Sequence, residues 1–240
     1  MAAVNILETK GLTKTYGGLD ANRDIDFALP RGDVHALIGP NGAGKSTFVG
    51  MLSGRIPATR GQVWFDGAEV TRLPAHKRIS LGIAYTFQIT SVFAKLPVRE
   101  NVALAVRRIL GRDRAAVRAK VDGVLERVGM VDQAYQLAGD LSYGHQRVLE
   151  IGMGLAQNPE LFILDEPTQG LALPEVEAFK NLVNDLRGET TILLIEHNMN
   201  VVMEVSDSLT VLNHGEVLAR GTPDEIRENA DVQAAYLGGV

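Results

Sequence analysis

The order of apolar and polar residues predicts an N-terminal pair of antiparallel strands, followed by a buried strand and a helix. Residues 4–30 show short alternating runs that are broken by Gly17-Gly18 and ended by Pro30-Arg31-Gly32. This pattern is typical of strands joined by turns. Val34–Ile38 is an apolar run of strand length before a glycine-rich loop, which indicates a buried strand. We expect a helix to follow this loop and to end near Ser53.

The pattern in the second half of the chain alternates between strand and helix, as it does in βαβ units. The predicted strand, helix and strand lie at Leu161–Leu164, Leu173–Leu186 and Thr190–Ile195. Ser208–Leu212 and Glu216–Ala219 flank a His-Gly turn and predict a hairpin. The tail from Pro223 to Leu237 is predicted to be helical, and upstream Gln62–Gly67 predicts another strand with its turn.

Residues 97–138 differ in pattern and composition, because their apolar residues have helical spacing and many of the others are Arg, Ala and Glu. Val98–Leu110 and Ala115–Val128 are predicted helices, each followed by a glycine. A further predicted helix runs to Ala156, where Asn158-Pro159 stops it. This part of the chain therefore indicates a helical subdomain inserted into an α/β core.

These elements together predict one α/β domain over residues 1–240. Its core, at 1–90 and 158–240, would hold a parallel sheet and an N-terminal antiparallel β subdomain. The helical subdomain would span 91–157. A length of 240 residues fits one such domain with a subdomain.

Composition excludes several classes of protein. Hydrophobic residues make up 45% of the chain, which excludes a disordered protein, and the absence of cysteine excludes disulfides, thiol catalysis and cysteine-ligated metal. The net charge of −5 does not favour wrapping of nucleic acid, so no nucleic-acid partner is expected. We find no signal peptide and no apolar run long enough to span a bilayer. If the protein works at a membrane, another chain must supply the spanning part.

A glycine-rich loop between the predicted strand and helix matches the phosphate-binding pattern G-x-x-x-x-G-K-[ST]. Its glycines let successive backbone N–H groups surround phosphate oxygens, and the helix N-terminus adds the positive end of its dipole. The Lys45 charge suits the β- and γ-phosphates, and the Ser46 hydroxyl is a candidate Mg²⁺ ligand. The candidate nucleotide-binding residues of this loop are Gly39, Pro40, Asn41, Gly42, Ala43, Gly44, Lys45, Ser46 and Thr47.

Two carboxylates, Asp165 and Glu166, end the apolar run Leu161–Leu164. A site for phosphate and Mg²⁺ needs an acid at the tip of a neighbouring strand, and Asp165 suits this role. Glu166 could polarise the attacking water as a general base. An acidic pair before Pro167 is also a common helix start, so the functional interpretation depends on the phosphate loop upstream.

A third motif, Leu141–Arg147, opens the predicted helix that runs to Ala156. Alone, its serine would be interpreted as an ordinary helix N-cap. With the phosphate loop upstream, it resembles the signature motif of ATP-binding cassette (ABC) ATPases, whose usual form is LSGGQ. Ser142 and Gly144 match that form, whereas Tyr143 and His145 depart from it.

The resemblance covers the whole chain in order. Tyr16 stands where the family stacks an aromatic ring on adenine. Gln88 matches the glutamine loop, which contacts Mg²⁺ and the attacking water and senses the membrane subunits, and His197 matches the switch histidine near the γ-phosphate. The resemblance thus implies Glu166, His197 and Gln88 in catalysis, Tyr16, Ser142 and Gly144 at the nucleotide, and Ser46, Gln88 and Asp165 at Mg²⁺.

The family resemblance also implies a fold, cofactors and partners. It implies a P-loop NTPase core, with ATP and Mg²⁺ bound between two chains in head-to-tail arrangement. The second ATPase chain would be a copy of this one or a paralogue. Two membrane permease subunits and a periplasmic solute-binding protein would complete the transporter, so this chain would be cytoplasmic and peripheral on the inner face of the membrane.

Five sequence stretches resemble one subtype, the ATPases of branched-chain amino-acid and urea-type bacterial importers: Tyr85–Gln88, Leu141–Gly144, Arg147–Gly152, Ile195–Met199 and Ala235–Gly238. On this resemblance the arginine-rich segment Val106–Arg118 belongs to the subdomain that docks on the membrane partner. A solvated charged face is equally compatible with that segment.

Other functions remain as alternatives. A lipopolysaccharide-export ATPase is the nearest one, because its stand-alone cassette has a similar length and tail. A non-transport switch protein or a purely structural nucleotide binder is less well supported, since both Glu166 and His197 are present. The segment from Lys45 to Ser142 is too short for the coiled coil of DNA-repair ATPases, and no guanine-recognition motif N-K-x-D is present.

One family element is altered. After Glu166-Pro167-Thr168 the usual sequence is S-A-L-D, but here it is Gln169-Gly170-Leu171-Ala172. In the family, this loop helps to couple the two sites of a dimer. An alanine thus stands where the family has a carboxylate.

Overall fold

The computed structural model describes residues 4–86 and 91–237, whose strands form two sheets. Among these residues the strands are β1 (Asn5–Tyr16), β2 (Leu19–Pro30), β3 (Val34–Ile38), β4 (Arg60–Phe65), β5 (Ala68–Glu69), β6 (Ile83–Tyr85), β7 (Leu161–Asp165), β8 (Thr191–Ile195), β9 (Ser208–Asn213) and β10 (Glu216–Gly221). An antiparallel sheet has the order β2-β1-β4-β5, and a second sheet has the order β10-β9-β3-β8-β7-β6. In the second sheet every pair is parallel except β9 with β10.

Some helices pack against the second sheet, and others pack with one another in a separate layer. In the described part of the chain they are α1 (Lys45–Leu52), α2 (Ala75–Ser80), α3 (Val98–Leu110), α4 (Arg114–Arg127), α5 (Tyr143–Leu155), α6 (Leu173–Leu186), α7 (Met199–Val205), α8 (Pro223–Glu228) and α9 (Ala230–Leu237). Helices α3, α4 and α5 share a separate apolar cluster, which includes Val102, Val121 and Leu149.

Strand β7 shows how the sheet divides the core. Its five residues are all buried. Leu161 and Ile163 face the cluster shared with the antiparallel sheet and α1, whereas Phe162 and Leu164 face the cluster that holds residues of α5, α6 and α7. Alternation along a strand thus places apolar side chains on both faces, as a sheet that is covered on both sides requires.

The register brings the carboxyl ends of three parallel strands together. β8 lies between β3 and β7, with Ile195 paired to Leu37 on one side and to Asp165 on the other. In open α/β sheets, ligands bind outside the carboxyl ends of the strands. The loops after β3, β7 and β8 therefore meet at one edge of the sheet.

A buried histidine joins β3 to β9 below this edge. The ring nitrogens of His35 lie 2.7 Å from Ser208 Oγ and 2.9 Å from Thr210 Oγ1. Burial lowers the pKa of His35 to about 4, and the charge of Arg220 acts in the same direction. The imidazole is thus neutral at pH 7 and serves as a hydrogen-bonded link between the two strands.

A buried arginine anchors the C-terminal end of α1. Arg78 is 2% exposed, and its guanidinium donates to the carbonyl oxygens of Met51 and Leu52 at 2.8 and 2.6 Å. Two further bonds reach Leu73 O and Thr71 O, both at 3.0 Å. Burial lowers its pKa to about 10. Since α1 begins at Lys45, this anchor also steadies the helix that follows the phosphate loop.

The predicted fold class and most predicted elements are confirmed. The helical tail is divided at Asn229, whose backbone is extended and whose side chain accepts from Val232 N at 3.0 Å. Four short elements were not predicted: β5, α2, β6 and α7. The subdomain boundaries at residues 91 and 157 stay a prediction.

Candidate functional site

The phosphate loop leaves β3 at Gly39 and enters α1 at Lys45. Gly44 has φ 97°, and a Cβ added there would lie 2.5 Å from Asn22 Nδ2, so both conformation and space require glycine. Gly42 also has positive φ, but a Cβ there would meet nothing within 4 Å. Helix α1 has no side-chain cap at its N-terminus. Its first N–H groups therefore point to the loop side without a local side-chain acceptor, as an anion site requires.

Lys45 lies across this loop. Its Nζ donates to Gly39 O at 2.6 Å and to Pro40 O at 3.0 Å. Burial lowers the pKa of Lys45, while the charges of Glu166 and Asp165 oppose that shift. The ammonium is thus held in place by two backbone carbonyls, and it lies close enough to the carboxylates of Asp165 and Glu166 for their charges to act on its pKa.

Asp165 ends β7 and is 5% exposed. Its Oδ2 accepts from the Tyr85 hydroxyl at 2.6 Å. Burial raises the pKa of Asp165, and the Tyr85 hydrogen bond opposes this effect. The Arg147 guanidinium donates to Asp165 O, so helix α5 is tied to the end of β7.

Glu166 and His197 follow two adjacent strands. Glu166 has φ 49°, a left-handed conformation that few side chains adopt, and its N–H donates to Ile195 O at 2.8 Å. His197 Nδ1 lies 3.9 Å from Glu166 Oε1. The Glu166 side chain is 21% exposed and that of His197 is 60% exposed. This backbone conformation places the partly exposed Glu166 carboxylate beside the His197 imidazole.

The signature motif forms the start of α5. Ser142 Oγ accepts from His145 N at 3.2 Å, so the serine is the N-cap, and it also lies 2.8 Å from His145 Nδ1. His145 Nδ1 in turn lies 3.4 Å from Glu175 Oε1. A Cβ at Gly144 would lie 2.5 Å from Glu175 Oε2. A side chain at this position would have to displace the Glu175 carboxylate of α6.

Two positions that depart from the family pattern, Tyr143 in the signature motif and Gly170 in the loop before α6, contact each other. A Cβ at Gly170 would lie 2.8 Å from the Tyr143 ring, so the ring packs on that glycine. Ala172 N donates to Glu175 Oε2 at 2.8 Å. Glu175 thus supplies a carboxylate at the start of α6, where Ala172 supplies none, and the sequence interpretation missed this residue. Its signal was available: a glutamate three residues after the helix cap.

The remaining predicted site residues are placed as follows. Tyr16 is 49% exposed at the end of β1, and Lys14 Nζ lies 4.9 Å from its ring centre. Its neighbouring strand β2 touches the phosphate loop, because Asn22 Nδ2 donates to Gly44 O at 3.2 Å. Gln88 lies outside the described residues. Pro40, Asn41, Ala43, Ser46 and Thr47 lie in the loop and the first turn of α1, with Asn41 and Ser46 exposed and Ala43 buried.

The chain is similar to ATP-binding proteins of the ABC transporter family. The model of the ABC transporter family matches residues 22–169. The model of the branched-chain amino acid ATP-binding cassette transporter matches residues 216–240. BraF of Pseudomonas aeruginosa, a high-affinity branched-chain amino acid transport ATP-binding protein, is 39% identical over 97% of this chain and 98% of its own length. LivG of Escherichia coli, which has the same description, is 37% identical with the same coverage.

A different transporter and a solved structure are also similar. The lipopolysaccharide export system ATP-binding protein LptB of Haemophilus influenzae is 32% identical over 98% of both chains. A crystal structure of an ATP-binding cassette of an ABC transporter in its ADP conformation has a TM-score of 0.86 and 28% identity, covering 98% of this chain and 99% of that chain. Among the helices described here, none combines the length and apolar character needed to cross a membrane.

Proposed function

This chain is an ATPase of the ABC transporter family, and from that premise we propose that it powers solute import by hydrolysing ATP at the interface of two such chains. The observation that carries the proposal is the meeting of four groups at one sheet edge. Lys45 begins α1, Asp165 ends β7, and Glu166 and His197 follow β7 and β8. The charges of both carboxylates act on the pKa of Lys45.

Each of these groups has a task in phosphoryl transfer to water. Lys45 and the N–H groups of the loop would hold the β- and γ-phosphates and stabilise their charge. The Glu166 carboxylate would accept a proton from the attacking water. The exposed imidazole of His197 would donate a hydrogen bond to the γ-phosphate, since its ring lies beside Glu166 at the open side.

Mg²⁺ fits the donor set at this edge. The Ser46 hydroxyl and the Asp165 carboxylate are hard oxygen ligands, and Mg²⁺ is commonly held by one or two protein ligands plus substrate phosphates. Among the described residues, no group of three or more His, Asp or Glu is placed to hold a metal ion. When bound, Mg²⁺ would neutralise charge on the β- and γ-phosphates.

The second chain would complete each site. Ser142 is exposed at the N-terminus of α5, where a helix dipole favours a phosphate. In the proposed head-to-tail dimer, this end would face the γ-phosphate held by the other chain's phosphate loop. ATP would then hold the dimer closed, and hydrolysis would release it.

The membrane partner and the solute are inferred from the relatives and from charge. The C-terminal family match and the BraF and LivG relatives favour import of branched-chain amino acids. A cleft of about 730 Å³ between α3 and α4 has five arginines and one glutamate among its lining residues: Arg99, Arg107, Arg112, Arg114, Arg118 and Glu100. We propose that this cleft, which is lined by residues along Val106–Arg118, receives an acidic segment of a permease subunit on the cytoplasmic side.

Lipopolysaccharide export is the alternative function, supported by the 32% identity to LptB. Transport by the complete complex separates the two. We expect vesicles holding this chain, its permeases and the binding protein to take up leucine, isoleucine or valine when ATP is supplied, and the Glu166→Gln complex to take up none. ATP hydrolysis without amino-acid uptake, together with lipopolysaccharide release, would favour the alternative.

A further inference from the structure

Glu196 is a buried carboxylate that touches both loops of the proposed catalytic pair. It follows β8 directly and is 1% exposed. Its Oε1 accepts from Thr168 N at 2.9 Å and from the Thr168 hydroxyl. Its Oε2 accepts from His197 N at 2.9 Å and from Asn198 N at 3.1 Å. The carboxylate thus spans the loop after Glu166 with one oxygen and the His197 loop with the other.

The four donors match the acceptor capacity of this group. An ionised carboxylate offers about four lone-pair sites and donates nothing. Three backbone N–H groups and one hydroxyl occupy them, so each bond is assisted by the charge. A glutamine of the same shape would have an NH₂ group in place of one carboxylate oxygen. That NH₂ group would face N–H donors and could accept no hydrogen bond, so one of the two loops would lose its anchor.

The two loops need such an anchor. Glu166 holds a left-handed φ of 49°, a conformation that persists only when its surroundings enforce it. Thr168, two residues later, is the point at which Glu196 fixes the loop. The His197 side chain is 60% exposed, so little packing orients it and its backbone position decides where the ring lies.

We infer that Glu196 is a positioning residue for ATP hydrolysis: it sets the Glu166 carboxylate and the His197 imidazole relative to each other without touching substrate. The inference rests on the catalytic roles proposed above. The phosphate loop has no hydrogen bond to Glu196 among the described contacts, so nucleotide affinity depends on other residues.

The test is Glu196→Gln in the full chain, with kcat, the Kd for ATP and thermal unfolding measured together. We expect kcat to fall about 100-fold, because misplaced general bases lose rates of this order, while the Kd stays within about threefold. Glu204→Gln is the matched control, since the Glu204 side chain is 54% exposed and its partner Lys180 keeps a second carboxylate, that of Glu177. It should keep the wild-type kcat. A folded Glu196→Gln protein with wild-type kcat, or one whose kcat falls only with its folded fraction, would overturn the inference.

A double variant separates this inference from the proposed function. If Glu196 acts through Glu166, then adding Glu196→Gln to Glu166→Gln should lower kcat by less than about threefold, because residues acting as a unit are not additive. A full further 100-fold loss would contradict positioning. Wild-type turnover by Glu166→Gln would refute the proposed base instead, and the single Glu196→Gln variant would still decide whether Glu196 supports turnover. Should Glu196→Gln fail to fold, Thr168→Val removes one donor alone, and unchanged kcat in that variant would overturn the inference.

Discussion

Glu166→Gln is expected to bind ATP and to lose turnover. The amide keeps the shape of the side chain but cannot accept a proton from water, and loss of a general base lowers kcat by roughly 10²–10⁴-fold. The phosphate loop and Lys45 are unchanged, so the Kd for ATP should stay near that of the wild type. Steady-state phosphate release and equilibrium binding, measured on the same preparation, check both expectations.

A surface glutamate away from the site provides the control for this variant. Glu189 pairs with Arg127 at 2.6 Å and its side chain is 62% exposed. Glu189→Gln should hydrolyse ATP at the wild-type rate, because the ion pair is remote from the sheet edge and contributes little to the stability of the protein. Full activity in Glu166→Gln would show that its carboxylate is structural and would remove the base from the proposed mechanism.

Lys45→Ala is expected to lose ATP binding itself. The variant deletes the cation that is held at the loop by Gly39 O and Pro40 O. We expect the Kd to rise by about 100-fold or more, which is roughly 2.7 kcal/mol, an ordinary cost for losing charge-assisted contacts to phosphates. Isothermal calorimetry with ATP measures this directly.

The exposed Lys77 on α2 is the matched control for that lysine, and Lys77→Ala should bind ATP normally. Wild-type affinity in Lys45→Ala, with the protein folded, would refute the assignment of residues 39–47 as the phosphate loop.

The elements that could be predicted are those with a strong local pattern. The apolar run of β7 and the helix α6 are long enough for periodicity to identify them. Helix α7 has seven residues, and α2 has six, which is too short for a periodic signal. The break at Asn229 depends on a single capping side chain, and a continuous helical pattern conceals it.

In the candidate site, too, residues in local motifs could be predicted, whereas contacts between residues far apart in the sequence could not. Lys45, Asp165 and Glu166 lie in contiguous motifs whose residue types indicate phosphate and metal chemistry, so these residues could be proposed from the sequence alone. The contact of Glu196 with Thr168 spans 28 residues, and that of Arg147 with Asp165 spans 18. Such contacts depend on which strands lie side by side, and only the fold determines this.

The structure also changes how the signature motif is best altered. A side chain at Gly144 would displace the Glu175 carboxylate, which accepts from Ala172 N in the same chain, so an effect on a dimer would be mixed with a change at the start of α6. Ser142 is exposed and is the N-cap of α5. Ser142→Asp keeps a good helix cap and places a negative charge where the other chain's γ-phosphate is proposed to lie.

The central claim, a site built from two chains, is tested most directly by mixing two inactive variants. Lys45→Ala lacks a working phosphate loop, and Ser142→Asp lacks a working signature. In a mixed dimer one site holds both defects and the other holds neither. We expect each variant alone to be inactive and an equal mixture to recover roughly a quarter of wild-type ATPase activity, since half of the dimers are mixed and each has one intact site. A mixture of folded variants no more active than its separate components would show that the site is not shared between chains, as would full activity of Ser142→Asp alone.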